Sequence, residues 1–190
     1  MLTILLIHNL LMEVLEAGLL RGSQERVRGL LRRKLLAMTV HMIKIRKAIL
    51  TDAPVIIGFQ QKMAWETEQF ALVPEIVTDG VYAVFEIPSR GQYWVAEENG
   101  NIVASLLITY EWSDWRNTNV WWFQSVYVLP DYRRKGIFRS MYSVIRNEAE
   151  TQGIAGLRLY VESNNSRAQN TYEALGMKSE HYRMYEWLKE

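Results

Sequence analysis

A short basic stretch that ends in glycine is the part of the sequence best suited to bind an anion. Residues 133–136 read Arg-Arg-Lys-Gly, after a β-branched and aromatic run that stops at Pro130 and before apolar residues at helical spacing. The pattern predicts a strand, a loop and a helix in that order. Amides at such a loop carry partial positive charge, and glycine lets a ligand approach the backbone. This predicts a phosphate-binding loop, with a solvated surface loop as the alternative.

A second candidate segment lies about thirty residues further along the chain. Residues 157–161 alternate and predict a strand, after which Asn165 or Ser166 can cap a helix. That helix carries Tyr172 on its apolar face and ends at Gly176. Taken alone, the segment indicates an ordinary capped helix with a tyrosine in the core.

The two segments together resemble the GNAT superfamily of N-acetyltransferases. The family's acyl-CoA loop reads Arg/Gln-x-x-Gly-x-Gly/Ala after a strand ending in Val-x-Val-x-Pro, and residues 126–136 match it except that Phe138 replaces the last small residue. The family's second pattern, Asn-x-x-Ala-x-x-x-Tyr-x-x-x-Gly, matches at Asn165, Ala168, Tyr172 and Gly176. At Phe138, either the backbone loses some approach to the pyrophosphate or the side chain folds away.

The resemblance implies an α+β fold with three layers, α/β/α-like. A mixed, mostly antiparallel sheet of six to seven strands would be flanked by about four helices. The implied activity is transfer of an acetyl group from acetyl-CoA to a primary amine by direct attack, without a metal. The acceptor would be a small-molecule amine or a protein amino group. Two alternatives stay open: a non-catalytic module that binds or senses acyl-CoA, and a structural role through the N-terminal segment.

The resemblance also implies roles for particular residues. Tyr172 would protonate the departing thiolate, a backbone amide near Val126 would polarise the acetyl carbonyl, and Asn165 would contact the pantetheine arm. The residues implied in cofactor binding are Val126, Tyr127, Val128, Arg133, Arg134, Lys135, Gly136, Ile137, Phe138 and Asn165.

The general base is not assigned by the sequence. An alkylamine with a pKa of about 10 must lose a proton before it attacks. Some family members use a glutamate on strand four, where this chain has Gln124 and Ser125. Glu162 and Glu111 are the candidates, with a water chain as the third option. Either glutamate could instead make a structural hydrogen bond.

The resemblance implies acceptor binding at the first two helices of the domain, and the end of the third strand is a further candidate. The candidates there are Trp65, Glu66, Glu68, Asp114 and Trp122, with a solvated helix end as the alternative for the two glutamates. Four tryptophans flank the turn between strands three and four: Trp112, Trp115, Trp121 and Trp122. A packed aromatic corner is the favoured interpretation, and contact with a cationic acceptor is the alternative.

Composition narrows the possible functions. The 190 residues contain no cysteine, so a disulfide framework, a thiolate zinc site and a cysteine nucleophile are excluded. Three scattered histidines argue against a metal site, and a net charge of +1 argues against a nucleic-acid partner. Charged residues interrupt the leucine-rich start, which argues against a membrane span. We expect a cytoplasmic protein, with a homodimer possible.

The remaining pattern predicts the elements that must position these residues. Residues 1–41 are leucine-rich and basic and predict a helical extension that packs on the domain or on a partner, or lies on a membrane surface, unless Met42 is the true start, which is the favoured interpretation. Residues 42–190 predict the acetyltransferase-like domain. Its predicted strands are residues 43–49, 92–97, 102–110, 120–128 and 157–161, and a final aromatic hairpin is predicted over residues 177–188. Its predicted helices begin near residues 53, 73, 136 and 166.

Overall fold

The computed structural model describes residues 43–179 and 184–187. The strands in these ranges are β1 (Lys44–Lys47), β2 (Gln92–Glu98), β3 (Asn101–Ser113), β4 (Thr118–Val128) and β5 (Gly156–Arg158). The α-helices are α1 (Ala53–Glu68), α2 (Pro74–Glu86), α3 (Ile137–Thr151) and α4 (Ser166–Glu173). The predicted helical extension over residues 1–41 lies outside the described ranges.

The described strands form one five-stranded sheet in the order β1-β2-β3-β4-β5. The first four strands are antiparallel, and β5 runs parallel to β4. A parallel pair needs a long crossover connection, and α3 supplies it. At the β2–β3 turn, Asn99 and Gly100 both adopt positive φ, 51° and 80°, as expected of an Asn-Gly hairpin. The mixed, mostly antiparallel sheet predicted from the sequence is therefore confirmed.

Two apolar cores lie on opposite faces of the sheet. On one face, α3 buries a stripe at four-residue spacing: Ile137, Met141, Ile145 and Ala149. On the other face, α1 and α2 contribute Ile56 and Val81, which pack with Tyr93 and Val95 of β2. Helices therefore cover both faces, which gives the predicted three layers.

A β-bulge in β4 reverses which side chains face each core. Ser125 adopts φ of 50°, and residues 125 and 126 lie opposite the single residue Leu106. Before the bulge, Phe123 packs in the α3 core; after it, Val126 and Val128 do so. Tyr127 consequently faces α1, where its ring centroid lies 5.1 Å from that of Phe59.

The prediction of six to seven strands is wrong for the described residues, which form five. The difference lies in the predicted hairpin over residues 177–188. Residues 177–179 and 184–187 belong to no strand, and Tyr185 and Trp187 are 90% and 86% exposed. An alternating aromatic pattern forms a strand only where a neighbouring strand pairs with its backbone. None of the described strands pairs with these residues. Tyr182 and residues 188–190 lie outside the described ranges.

The predicted packed aromatic corner is also wrong. Trp121 is buried in the α3 core and Trp122 is half-buried on the opposite face, but Trp112 and Trp115 are 61% and 88% exposed. Alternation along β4 puts Trp121 and Trp122 on opposite faces, Trp112 lies near the end of β3, and Trp115 lies in the turn that follows. Among the described residues, no helix is long and apolar enough to cross a membrane.

A buried ion pair joins β1 to the start of α1, and we expect its removal to destabilise the domain. The Asp52 carboxylate accepts hydrogen bonds from the Arg46 guanidinium at 2.6 and 3.1 Å and from the Ile49 amide at 2.8 Å. Asp52→Asn should lower the free energy of unfolding by roughly 1.5–3 kcal/mol in urea titrations, because a hydrogen bond to a charged group is lost. Asp131→Asn, at an exposed aspartate, is the control.

The same aspartate should make stability depend on acid. Burial alone would raise the pKa of Asp52, but the hydrogen bonds from Arg46 and Ile49 outweigh it, so the pKa lies below its usual value of 3.8. The stabilisation is therefore present above about pH 4 and is lost as the pH falls through the folded-state pKa. In Asp52→Asn this part of the acid dependence should disappear; an unchanged acid profile would contradict the assignment.

Candidate functional site

The predicted phosphate loop presents a row of unpaired amides. The N–H groups of residues 134–139 have no hydrogen-bond acceptor among the described residues. Arg134 and Gly136 both adopt left-handed φ, 66° and 77°, which turns successive amides toward one side at the start of α3. A Cβ built on Gly136 would meet no protein atom within 4 Å. The loop therefore leaves an open space lined by donors, as a pyrophosphate group requires.

The end of β4 offers a second set of backbone groups. The Leu129 amide donates to Val103 of β3 at 3.0 Å, so alternation turns the peptide groups of Val126 and Val128 toward the opposite edge. At that edge β5 pairs with β4 only as far as Trp122, which lies opposite Arg158. An extended amide chain could therefore pair with this part of β4 as a strand does.

The basic side chains of the loop do not all face the open space. Arg133 donates through Nε to the Val128 carbonyl at 2.9 Å and through Nη2 to Glu66. The Lys135 ammonium lies 4.9 Å from the centre of the Tyr132 ring. Arg133 therefore fastens the loop to β4 and α1, and the backbone supplies most of the anion-binding groups.

Glu66, predicted to contact the acceptor, instead bridges α1 to β4 and the loop. Its two carboxylate oxygens accept hydrogen bonds from Arg133 and from the Tyr127 hydroxyl, the latter at 2.7 Å. The Arg133 bond is the main cause that lowers the pKa of Glu66. Burial, and then the bond to Glu66, raise the pKa of Tyr127 to about 12. The bridge holds α1 in place beside the loop.

Tyr172 lies against the loop through Phe138. The two rings meet edge to face with centroids 5.5 Å apart, and Phe138 also packs on Phe123 and Tyr142. The side chain that departs from the family pattern thus folds into the core, the second of the two outcomes considered above. Burial raises the pKa of Tyr172, so its hydroxyl stays protonated at neutral pH. Among the described residues, this hydroxyl has no hydrogen-bond partner.

Asn165 caps the N-terminus of α4, and the cap occupies part of its side chain. Its side-chain oxygen accepts from the Ala168 amide at 3.0 Å, which confirms the predicted cap. Glu162 lies in the exposed loop just before it, and its carbonyl accepts from the Gln169 side chain at 3.1 Å. The loop is thus held to the first turn of α4.

Glu111 and Trp122 belong to a network on the α1–α2 face of the sheet. Glu111 accepts from the Trp122 indole N–H and, at 2.6 Å, from Arg158 Nη1. The hydrogen bond from Trp122, followed by that from Arg158, lowers the pKa of Glu111. Sequence reasoning assigned no role to Arg158, although its alternation with Tyr160 in the predicted strand 157–161 places both on one face.

The other predicted acceptor residues lie apart from this network. Trp65 and Glu68 are exposed at the end of α1. Asp114 closes the β3–β4 turn by accepting from the Trp115 amide at 2.9 Å. Two cavities, of about 250 and 320 Å³, contain none of the predicted site residues. Among the described residues no cluster of side chains could hold a metal ion.

Comparisons with known proteins agree with this geometry. The chain is 43% identical to a possible acetyltransferase from Clostridium difficile 630, with a TM-score of 0.72 over 78% of this chain and 98% of that one. A predicted acetyltransferase from Clostridium acetobutylicum, solved with acetyl-CoA, is 21% identical, with a TM-score of 0.61 over 78% of this chain and 95% of that one.

Among curated proteins, thialysine N-epsilon-acetyltransferase from Bos taurus is 33% identical over 75 residues, 40% of this chain and 44% of that one. The chain thus spans less than half the length of this relative. The model of the acetyltransferase (GNAT) family matches residues 57–177, well over half of the sequence. The chain therefore belongs to the GNAT family of acetyltransferases.

Proposed function

We propose that the protein is an acyltransferase that moves an acetyl group from acetyl-CoA to a primary amine. The observation that carries the proposal is the pairing of two backbone surfaces. The unpaired amides of residues 134–139 suit a pyrophosphate, and the outward peptide groups of Val126, together with the Val128 amide, suit the pantetheine amides. Family membership and the named acetyltransferase relatives support the same activity.

The chemistry follows from the position of each group. Bound acetyl-CoA would supply an activated thioester as the acetyl donor. The amine nitrogen forms a bond to the thioester carbon and the carbon–sulfur bond breaks, while a backbone amide near Val126 stabilises the charge on the carbonyl oxygen. Tyr172 gives its proton to the departing thiolate, since its raised pKa keeps it protonated. The proton from the amine passes to a base or to solvent.

For that base, the geometry favours Glu162 over Glu111. The Glu111 carboxylate already accepts hydrogen bonds from the Trp122 indole N–H and from Arg158. Glu162 lies in the exposed loop that follows β5, beyond the last paired position of β4 and β5. We propose that it takes the proton through a water molecule.

Thiol release from acetyl-CoA, measured with a panel of primary amines, tests the proposal. We expect release that depends on the amine and equals the amount of acetylated amine formed. Calorimetry with acetyl-CoA separates this activity from a binding module of the same fold. Tight binding without thiol release for any amine would favour the module, and the replacement of a strand-four glutamate by Gln124 would then explain the lost chemistry.

A further inference from the structure

The network around Glu111 presents a positive and a negative group side by side. β3 contributes Glu111, β4 contributes Trp122, and β5 contributes Arg158. The Arg158 guanidinium also lies 5.7 Å from the centre of the Trp122 ring. Three strands thus fix one charged pair at the point where β4 and β5 part.

The exposure of this ion pair suits it to ligand binding better than to stabilising the fold. The Arg158 and Glu111 side chains are 36% and 40% exposed, and exposed ion pairs contribute only about 0–1 kcal/mol to folding. A guanidinium carries five N–H donors, of which one has a partner among the described residues. Each Glu111 oxygen accepts a single protein hydrogen bond. Both groups can therefore make further bonds, the cation to a carboxylate and the anion to an ammonium.

Uncharged groups separate this pair from the reaction centre. Gln124 donates to the Thr109 hydroxyl at 2.7 Å and accepts from the Tyr160 hydroxyl at 3.2 Å. The Trp122 and Tyr160 rings lie 6.3 Å apart beside them. A chain of methylene groups can lie along these rings without leaving a charge unpaired.

We propose that Arg158 and Glu111 bind the α-carboxylate and α-ammonium of a free basic amino acid, whose side-chain amine receives the acetyl group. This inference rests on the proposed function and names its acceptor class. Amines without the carboxylate lack the contact with Arg158. Arg158 then determines acceptor specificity, and Glu111 binds the end of the acceptor opposite the reacting amine.

Steady-state kinetics with two matched acceptors test the inference. L-lysine and cadaverine have the same terminal amine, but cadaverine lacks the carboxylate. We expect a kcat/KM for lysine at least about tenfold higher, because a charged hydrogen bond is worth about 1.5–3 kcal/mol. Arg158→Gln should lower kcat/KM for lysine by about 10- to 100-fold through KM, and leave cadaverine nearly unchanged. Nα-acetyl-lysine keeps the carboxylate but lacks the ammonium that Glu111 binds, so its kcat/KM should fall below that of lysine and should still decrease in Arg158→Gln.

The controls separate binding from folding. Arg158→Lys keeps the positive charge but lacks the planar guanidinium. Its kcat/KM for lysine should therefore lie between those of the native protein and Arg158→Gln. Arg146→Gln, which removes an exposed arginine paired with Glu150 on α3, should change neither acceptor. Unchanged calorimetric affinity for acetyl-CoA would show that the variants are folded.

Two readouts keep this inference distinct from the proposed function. Lysine and cadaverine acetylated equally well, with Arg158→Gln lowering both alike, would overturn the specificity site and leave the acetyltransferase activity standing. If no amine is acetylated, the proposed function fails. Calorimetric titration of lysine then decides the site: binding of lysine over cadaverine that Arg158→Gln abolishes supports it, and absence of that preference overturns it.

Discussion

Replacing Gly136 with aspartate is expected to weaken acetyl-CoA binding by at least about 100-fold, or about 2.7 kcal/mol. The residue adopts φ of 77° and faces open space rather than protein. The new side chain would therefore enter the space lined by the amides of residues 134–139, and its charge would repel the pyrophosphate. Isothermal titration calorimetry with acetyl-CoA measures the loss directly.

A second glycine, at the other end of α3, provides the matched control for Gly136→Asp. Gly153, just past the end of α3, also has left-handed φ, 68°, and no atom within 4 Å of a built Cβ. Gly153→Asp introduces the same strain of about 1–2 kcal/mol and the same charge, but outside the loop. Both variants should unfold at similar urea concentrations while only Gly136→Asp loses the ligand. Equal acetyl-CoA affinity in the two would place the pyrophosphate elsewhere.

Removal of the Tyr172 hydroxyl should slow turnover without weakening the cofactor complex. Tyr172→Phe keeps the ring that packs on Phe138 and removes the proton donor. General acid assistance is typically worth about 10²–10⁴-fold, and a thiolate is a good leaving group, so we expect a kcat about 100-fold lower. Acetyl-CoA affinity should stay within about twofold, because the lost interaction exists only in the transition state.

Tyr142→Phe is the control for this experiment. Tyr142 also packs on Phe138, with ring centroids 6.4 Å apart, but it lies on α3. Its replacement should leave kcat unchanged. If Tyr172→Phe turns over normally, the tyrosine only packs; if acetyl-CoA affinity falls instead, its hydroxyl holds the cofactor. Because burial raises the pKa of Tyr172, the ratio of the two rates should be constant from neutral pH up to the usual tyrosine pKa of about 10.

Several features of this protein could be read from the sequence because they depend on neighbours along the chain. The Asn99–Gly100 turn, the Asn165 cap and the glycine at the start of α3 each use a backbone conformation that few residue types adopt. The α3 stripe that begins at Ile137 is likewise a local period. Local patterns of this kind determined the order of elements, the two family motifs and the position of the candidate phosphate loop.

Other features depend on contacts between distant parts of the chain. Arg133 faces inward because Glu66, 67 residues earlier, lies within hydrogen-bond distance once α1 packs on the sheet. The bulge at Ser125 decides that Val126 faces the α3 core and Tyr127 faces α1. A one-residue change of register exchanges the two faces of a strand, and no local pattern in β4 announces it.

The residues proposed to bind the acceptor likewise depend on contacts between distant parts of the chain. Sequence patterns singled out Glu111 and Trp122 separately, and gave no role to Arg158. Only the pairing of β3, β4 and β5 brings these three residues together, since strand register sets which side chains meet across a sheet. The loop whose backbone suits a pyrophosphate was thus determined by local sequence, whereas the open edge of β4 and the groups that can select an acceptor were determined by tertiary structure.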